Sequence, residues 1–170
     1  KLEEQLKVAR DIQKGLLPGK IPCRPGLEVE GLIRFCLDVA GDYYDVIPMD
    51  HHRTVLSIGD VAGKGVGPAM LMANLQASLR TTQAMGVSLS ESCRQINRIV
   101  FENTPDDLFI TFFVVLIDTA SGSMRYVNCG HNPPMLIRSG GDVELLSRGG
   151  VLLGVSENSE YDEGKAALST

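Results

Sequence analysis

The hydrophobic and polar positions of the first 17 residues repeat with the spacing of a helix. The repeating stripe consists of Leu2, Leu6, Ala9, Gln13 as its polar member, and Leu16, with Val8 and Ile12 beside it. Steps of three and four residues place side chains on one helix face, and Pro18 ends the pattern. We therefore predict an amphipathic helix over 1–17, with an apolar side that its own domain covers only in part.

The rest of the chain alternates between strand-like and helix-like segments. Strands are predicted over 27–36, 43–49, 53–58, 109–117, 124–128, 135–138 and 143–146, and the sequence SGGD at 139–142 predicts a hairpin turn between the last two. One helix follows Pro68 over 69–82, and a second begins at Ser88, where Glu91 completes a capping box, and runs to 103. Strands, two helices and further strands do not give the alternation of a parallel sheet. The pattern favours an α+β fold of antiparallel sheets, with 109–117 as a central strand.

Composition and charge exclude several classes of protein. The 170 residues are 44% hydrophobic and 22% charged, which predicts a single globular domain with a sizeable core. The net charge of −5 disfavours nucleic acid as a partner. Apolar runs such as 112–117 are far shorter than a membrane span, so we expect a cytoplasmic chain without membrane contact. Four widely spaced cysteines without a C-x-x-C pair indicate reduced thiols rather than a zinc site.

Two Gly-Asp pairs stand at the borders of predicted strands, in AGDYYD at 40–45 and in GDVAGKG at 59–65. The preceding glycine leaves room for each carboxylate to project past the edge of the sheet. Two carboxylates that meet there would suit a hard divalent cation, Mg²⁺ or Mn²⁺. We predict that Asp42 and Asp60 converge. For either pair alone, ordinary turn chemistry is the alternative.

Other candidate chemistry in the sequence is weaker. The loop at 59–65 joins a strand to a helix, but its spacing does not match a P-loop, so a nucleotide-binding regulator is the weakest of the alternatives. His131 could be a general base or a metal ligand, yet a lone histidine beside two prolines is more often structural. No serine or cysteine stands in a nucleophile motif of the G-x-S-x-G type. The sequence therefore offers no obvious nucleophile for covalent catalysis.

Five motifs in order resemble the PPM-type, protein phosphatase 2C-like, metal-dependent serine/threonine phosphatases. They are AGDYYD at 40–45, IGDVAGKG at 58–65, FITFF at 109–113, NCGHNPP at 128–134 and GVLLG at 150–154. The likeness is to the bacterial branch of stage II sporulation protein E-like and sigma-factor-regulating phosphatases. ARDIQ at 9–13 with LLP at 16–18 also resembles the helix that precedes this domain.

The resemblance implies a fold, a metal centre and a reaction. The fold would be an α-β-β-α sandwich carrying two Mn²⁺ or Mg²⁺ ions at one edge, with 1–18 as a linker or signalling helix and 19–170 as the phosphatase domain. Asp42 and Asp60 match the metal-binding aspartates, and Val61 matches the position that offers a backbone carbonyl. Supporting roles fall to Asp45, Gly41, Gly59 and Gly63. The implied reaction is hydrolysis of phosphoserine or phosphothreonine by metal-activated water.

The resemblance also suggests partners. The expected substrate is a phosphorylated anti-sigma-factor antagonist, and the expected upstream partner is a sensor domain or a helix contacting 1–17, with a homodimer as one form of this contact. Ala40 replaces a glycine that is common in the family. The residues before 170 contain nothing like the later Gly-Asp strand and Thr-Asp-Gly motif, so the encoded metal site is expected to be incomplete. A catalytically incomplete, phosphatase-like regulatory or binding module is therefore the main alternative.

Overall fold

The computed structural model describes residues 1–35, 37–105 and 107–168, except the side chain of Leu2. Its helices are α1 (Leu2–Leu16), α2 (Val66–Ala84) and α3 (Leu89–Asn103). Its strands are β1 (Tyr43–Pro48), β2 (Arg53–Val61), β3 (Ile110–Asp118), β4 (Ser123–Cys129), β5 (Met135–Ile137), β6 (Val143–Leu145), β7 (Gly149–Gly150) and β8 (Gly164–Ala167). The predicted α+β class is confirmed.

The described strands form a main sheet and a small hairpin. The main sheet has the order β1-β2-β3-β4-β7, and β8 also pairs with β4. Its pairs are antiparallel except for the two-residue contact between β4 and β7. As predicted, the apolar strand β3 lies in the middle of the sheet. The hairpin of β5 and β6 turns at 138–142, where the polar and glycine-rich sequence predicted it.

Helices α2 and α3 cover one face of the main sheet and build the larger core with it. Its fully buried side chains include Met72, Leu75, Ile96, Phe112 and Val114. The predicted start of α3 is confirmed, because the Ser88 hydroxyl accepts a hydrogen bond from the amide of Glu91. A second cluster on the other side of the sheet joins Phe113, Val115, Met124, Tyr126 and Leu146. The helices thus fix the sheet whose edge carries the candidate residues.

The predicted strand over 27–36 is wrong for its described part. Residues 28–35 have no regular element, and Leu27 makes only an isolated bridge to Arg24. The alternating side chains of this irregular segment still make tertiary contacts: Ile33 and Phe35 pack against the core, and Gly31 lies tightly against the ring of Tyr44. Cys36 lies outside the described residues. The three described cysteines are unpaired thiols, as expected.

Helix α1 is present, but its inner face differs from a simple apolar stripe. Leu6, Ala9 and Leu16 are half-buried, and the polar Gln13 is almost fully buried. Val8 and Ile12 are 58% and 63% exposed and form a second, outward apolar face. The partial covering predicted for the apolar side is confirmed for Leu6, Ala9 and Leu16. No helix among the described residues has the length and apolarity needed to span a bilayer.

Candidate metal centre

The candidate site lies where β1 begins and β2 ends. These antiparallel strands pair from Pro48 with Thr54 as far as Tyr43 with Gly59. The next residues in the same register are Asp42 and Asp60, so the two carboxylates stand across from each other. Both side chains are exposed, and both line the same cavity. The predicted convergence of the two aspartates is therefore present.

The electrostatics of this pair are unfavourable without a cation. Burial, the negative charge of Asp60 and a hydrogen bond shared with Asp60 all raise the pKa of Asp42 above its usual value. Like charges directly opposite on paired strands are destabilising. Carboxylate oxygens are the ligands that Mg²⁺ and Mn²⁺ prefer, and a divalent cation would turn the repulsion into attraction. The donor set fits such an ion.

The backbone of Val61 lies beside the same site. A Cβ atom added to Gly41 would lie 2.9 Å from the Val61 carbonyl oxygen and 3.1 Å from Cβ of Pro68. Only glycine permits this close approach, which brings the Val61 carbonyl next to the Asp42 segment. The loop after β2 needs a second glycine, because Gly63 has φ of +95° and lies against Pro68 at the start of α2.

Asp45 takes part in the support of β1 rather than in the carboxylate pair. Its side chain is fully buried and accepts hydrogen bonds from Arg80 Nε at 2.7 Å and Arg80 Nη2 at 2.8 Å. The hydroxyl of Tyr43 and the amide of Val46 also donate to this carboxylate. The hydrogen bonds with Asp45 raise the pKa of Arg80. Asp45 therefore anchors β1 to α2, three residues from Asp42.

His131, for which the sequence favoured a structural role over that of a general base or metal ligand, is brought to the site by the structure. It lines the cavity with Asp42 and Asp60, and its Nδ1 lies 2.9 Å from the hydroxyl of Thr111, the partner of Asp60 in the sheet. Burial lowers the pKa of His131, although the charge of Asp60 and the hydrogen bond with Thr111 oppose the shift. The sequence GHNPP at 130–134 was the feature from which a role of His131 at the site could have been inferred.

The turn that carries His131 is held by a buried amide. The side chain of Asn128 accepts a hydrogen bond from the His131 amide at 2.8 Å and donates one to the Leu146 carbonyl at 3.1 Å. The imidazole is therefore positioned by the end of β4. The cavity it lines has a volume of about 640 Å³ and extends along the sheet face beneath 29–34. Within the described ranges, no group of three or more histidine, cysteine or acidic side chains gathers around one point.

Comparison with known proteins assigns the family. The sequence profile described as stage II sporulation protein E (SpoIIE) matches residues 50–170. This chain belongs to the SpoIIE family. It is also similar to the phosphoserine phosphatase RsbU of Bacillus subtilis, at 24% identity over 163 residues that cover 95% of the chain and 48% of RsbU. The chain thus spans about half the length of this relative.

Solved structures show the same fold. The PP2C domain of SiaA from Pseudomonas aeruginosa aligns with 99% of this SpoIIE-family chain and 68% of its own, at TM-score 0.74 and 16% identity. RsbX in complex with magnesium aligns over 77% of the chain and 62% of its own, at TM-score 0.64 and 14% identity. The resemblance to PP2C-like phosphatases is therefore confirmed at the level of fold and family.

Proposed function

We propose that this SpoIIE-family chain is the phosphatase part of a metal-dependent protein serine/threonine phosphatase. The observation that carries the proposal is the pair Asp42 and Asp60, opposed across the open end of β1 and β2. A protein keeps two mutually repelling carboxylates at a sheet edge at a cost in stability. A bound divalent cation offsets that cost and gives the pair a function.

The chain's own residues have distinct roles in this proposal. Asp42, Asp60 and the Val61 carbonyl hold Mn²⁺ or Mg²⁺, two ions when the ligand set is complete. A bound pair of such ions polarises a phosphoryl oxygen and makes water acidic enough to act as the nucleophile near neutral pH. Asp45 keeps β1 on α2. His131 lines the same cavity as Asp42 and Asp60.

The proposed substrate is phosphoserine or phosphothreonine on a regulatory protein, namely an anti-sigma-factor antagonist. RsbU, named a phosphoserine phosphatase, supports the choice of phosphoserine. We further propose that 1–18 links the domain 19–170 to an upstream sensor domain or to a partner helix. In a homodimer, the partner helix would be that of the second copy. The outward apolar face formed by Val8 and Ile12 supports this role. We propose that the protein acts in the cytoplasm.

A second candidate is a phosphatase-like regulatory or protein-binding module without turnover. It is favoured by one observation: the described residues bring together two carboxylates and a carbonyl, not a cluster of three acidic or imidazole side chains. Hard cations need several oxygen ligands to replace their hydration. The two candidates differ in one measurable property, metal-dependent turnover.

The deciding experiment is phosphate release from a serine-phosphorylated anti-sigma-factor antagonist by the full-length protein with Mn²⁺ or with EDTA. Asp60→Asn is the test variant, and Asp142→Asn in the exposed β5–β6 turn is its matched control. The phosphatase proposal expects Mn²⁺-dependent release in wild type and Asp142→Asn, and none in Asp60→Asn. Release that is absent from all three, with the antagonist still bound, would establish the binding module.

A further inference from the structure

Helix α1 contacts the segment before Asp42 through the buried side chain of Gln13. Gln13 is 4% exposed and makes two hydrogen bonds with the backbone of Ala40, 27 residues away. Its Nε2 donates to the Ala40 carbonyl at 2.6 Å, and its Oε1 accepts from the Ala40 amide at 2.9 Å. The side-chain amide thus both donates to and accepts from the backbone of Ala40, as a residue of a neighbouring antiparallel strand would. Ala40 stands two residues before Asp42.

Neighbouring contacts hold the same segment to the same helix. Arg10 Nη2 donates to the Leu37 carbonyl at 3.0 Å, and the guanidinium lies 5.8 Å from the centre of the Phe35 ring. These contacts are more exposed and lie farther along the chain from Asp42. Between Ala40 and Asp42 there is only Gly41, which is packed against Val61 and Pro68. Of these contacts between α1 and the segment, the one made by Gln13 therefore lies nearest to Asp42 along the chain.

We infer that Gln13 is a positioning residue: its paired hydrogen bonds with Ala40 fix the backbone that sets Asp42 opposite Asp60. The part of this inference that concerns metal affinity rests on the proposed function. A buried polar group inside an otherwise apolar stripe needs partners, and here both of its partners belong to the backbone of one residue. Two parallel hydrogen bonds fix the orientation of the peptide as well as its distance. A shift of α1 would therefore be transmitted directly to Asp42.

The chain supplies a matched control in Gln76. This buried glutamine of α2 also holds α1, because its Nε2 donates to the Leu16 carbonyl at 3.2 Å rather than to Ala40. Gln13→Met removes the paired hydrogen bonds at similar volume, and Gln76→Met removes a helix–helix hydrogen bond only. Gln13→Asn, which is one methylene shorter and keeps the amide, serves as the second variant if Gln13→Met does not fold.

The test combines amide hydrogen exchange over 38–43 with Mn²⁺ binding followed by electron paramagnetic resonance. We expect exchange at residue 40 to accelerate about tenfold in the Gln13 variants, in line with one lost hydrogen bond, and to stay unchanged in Gln76→Met. The Kd for Mn²⁺ should rise about tenfold in the Gln13 variants only, as for lost outer-shell support.

Each outcome decides a separate claim. Equal protection of residue 40 in wild type and the Gln13 variants would overturn the inference, as would faster exchange with an unchanged Kd for Mn²⁺. Wild-type protein that binds no Mn²⁺ would overturn the proposed function instead. In that case the exchange data still decide whether Gln13 holds the Asp42 segment in place.

Discussion

Asp42 and Asp60 face each other across the end of an antiparallel strand pair, one residue beyond the last paired positions, Tyr43 and Gly59. Burial and, after it, the negative charge of Asp60 raise the pKa of Asp42. Such a pair of carboxylates favours the binding of a cation.

Neutralising one member of the pair should stabilise the metal-free fold. In EDTA at pH 7, Asp42→Asn should raise the free energy of unfolding by about 0.5 kcal/mol, a small value because both groups are exposed. The folded pKa of Asp42 lies above its unfolded value. The penalty is therefore present above the folded pKa and is relieved as pH falls through it, so the gain should vanish below pH 3.8.

Urea unfolding of wild type, Asp42→Asn and Asp142→Asn across pH measures this effect. With saturating Mn²⁺ the order should reverse, because the cation stabilises the wild type and has lost a ligand in Asp42→Asn. Equal stability of all three proteins at every pH, with and without Mn²⁺, would contradict the account of the pair as a charge-repelling cation site.

Removal of a proposed ligand should affect metal affinity and turnover together. Asp60→Asn should weaken Mn²⁺ binding and lower the rate of phosphate release by more than about 100-fold, since even outer-shell changes cost 10–100-fold. Isothermal titration with Mn²⁺ and a phosphate-release assay measure the two effects. Full turnover in Asp60→Asn would place the site elsewhere.

Arg80 should be worth far more to stability than an arginine in a surface pair. Arg80→Met leaves the buried Asp45 carboxylate without its charge partner and should cost about 3 kcal/mol of unfolding free energy. The control is Arg94→Met, because Arg94 pairs with Glu91 at 2.8 Å with both side chains more than a third exposed. That change should cost less than about 1 kcal/mol. Chemical denaturation measures both, and equal losses would contradict the anchoring role of Asp45.

A methyl group at Gly41 should disturb the site. In Gly41→Ala the new Cβ would meet the Val61 carbonyl oxygen at 2.9 Å, so the backbone must move, at a cost of about 1–3 kcal/mol. Gly140→Ala is the control, because a Cβ there meets nothing within 4 Å. We expect weaker Mn²⁺ binding and lower stability for Gly41→Ala alone. Unchanged thermal melting and Mn²⁺ affinity in Gly41→Ala would show that the contact is not needed.

The outward face of α1 should mediate association if 1–17 is a signalling helix. Val8→Ser with Ile12→Ser removes two exposed apolar side chains, and Gln5→Ser on the same exposed side of the helix is the control. Sedimentation equilibrium should show a dimer or a complex with the upstream domain that only the double variant loses. The same monomer in all cases, also with the upstream domain present, would remove the support for that role.

Local sequence determined the elements that depend on neighbours along the chain. The Ser88 N-cap of α3, the apolar run of β3 and the glycine-rich turn of the β5–β6 hairpin all formed where predicted. The convergence of Asp42 and Asp60 was also predictable, because a short turn between two strands sets their register and each aspartate follows a glycine at a strand border. These features need no knowledge of distant parts of the chain.

Contacts between distant residues decided the rest. The 28–35 segment alternates like a strand, but it pairs with no strand and packs Ile33 and Phe35 against the core. Short β7 and β8 exist only because β4 offers them an edge. Sequence spacing alone cannot show that Gln13 meets Ala40, or that His131 meets Thr111 beside Asp60. A side chain's partner across the fold depends on how helices and sheet pack together, and local patterns do not encode that packing.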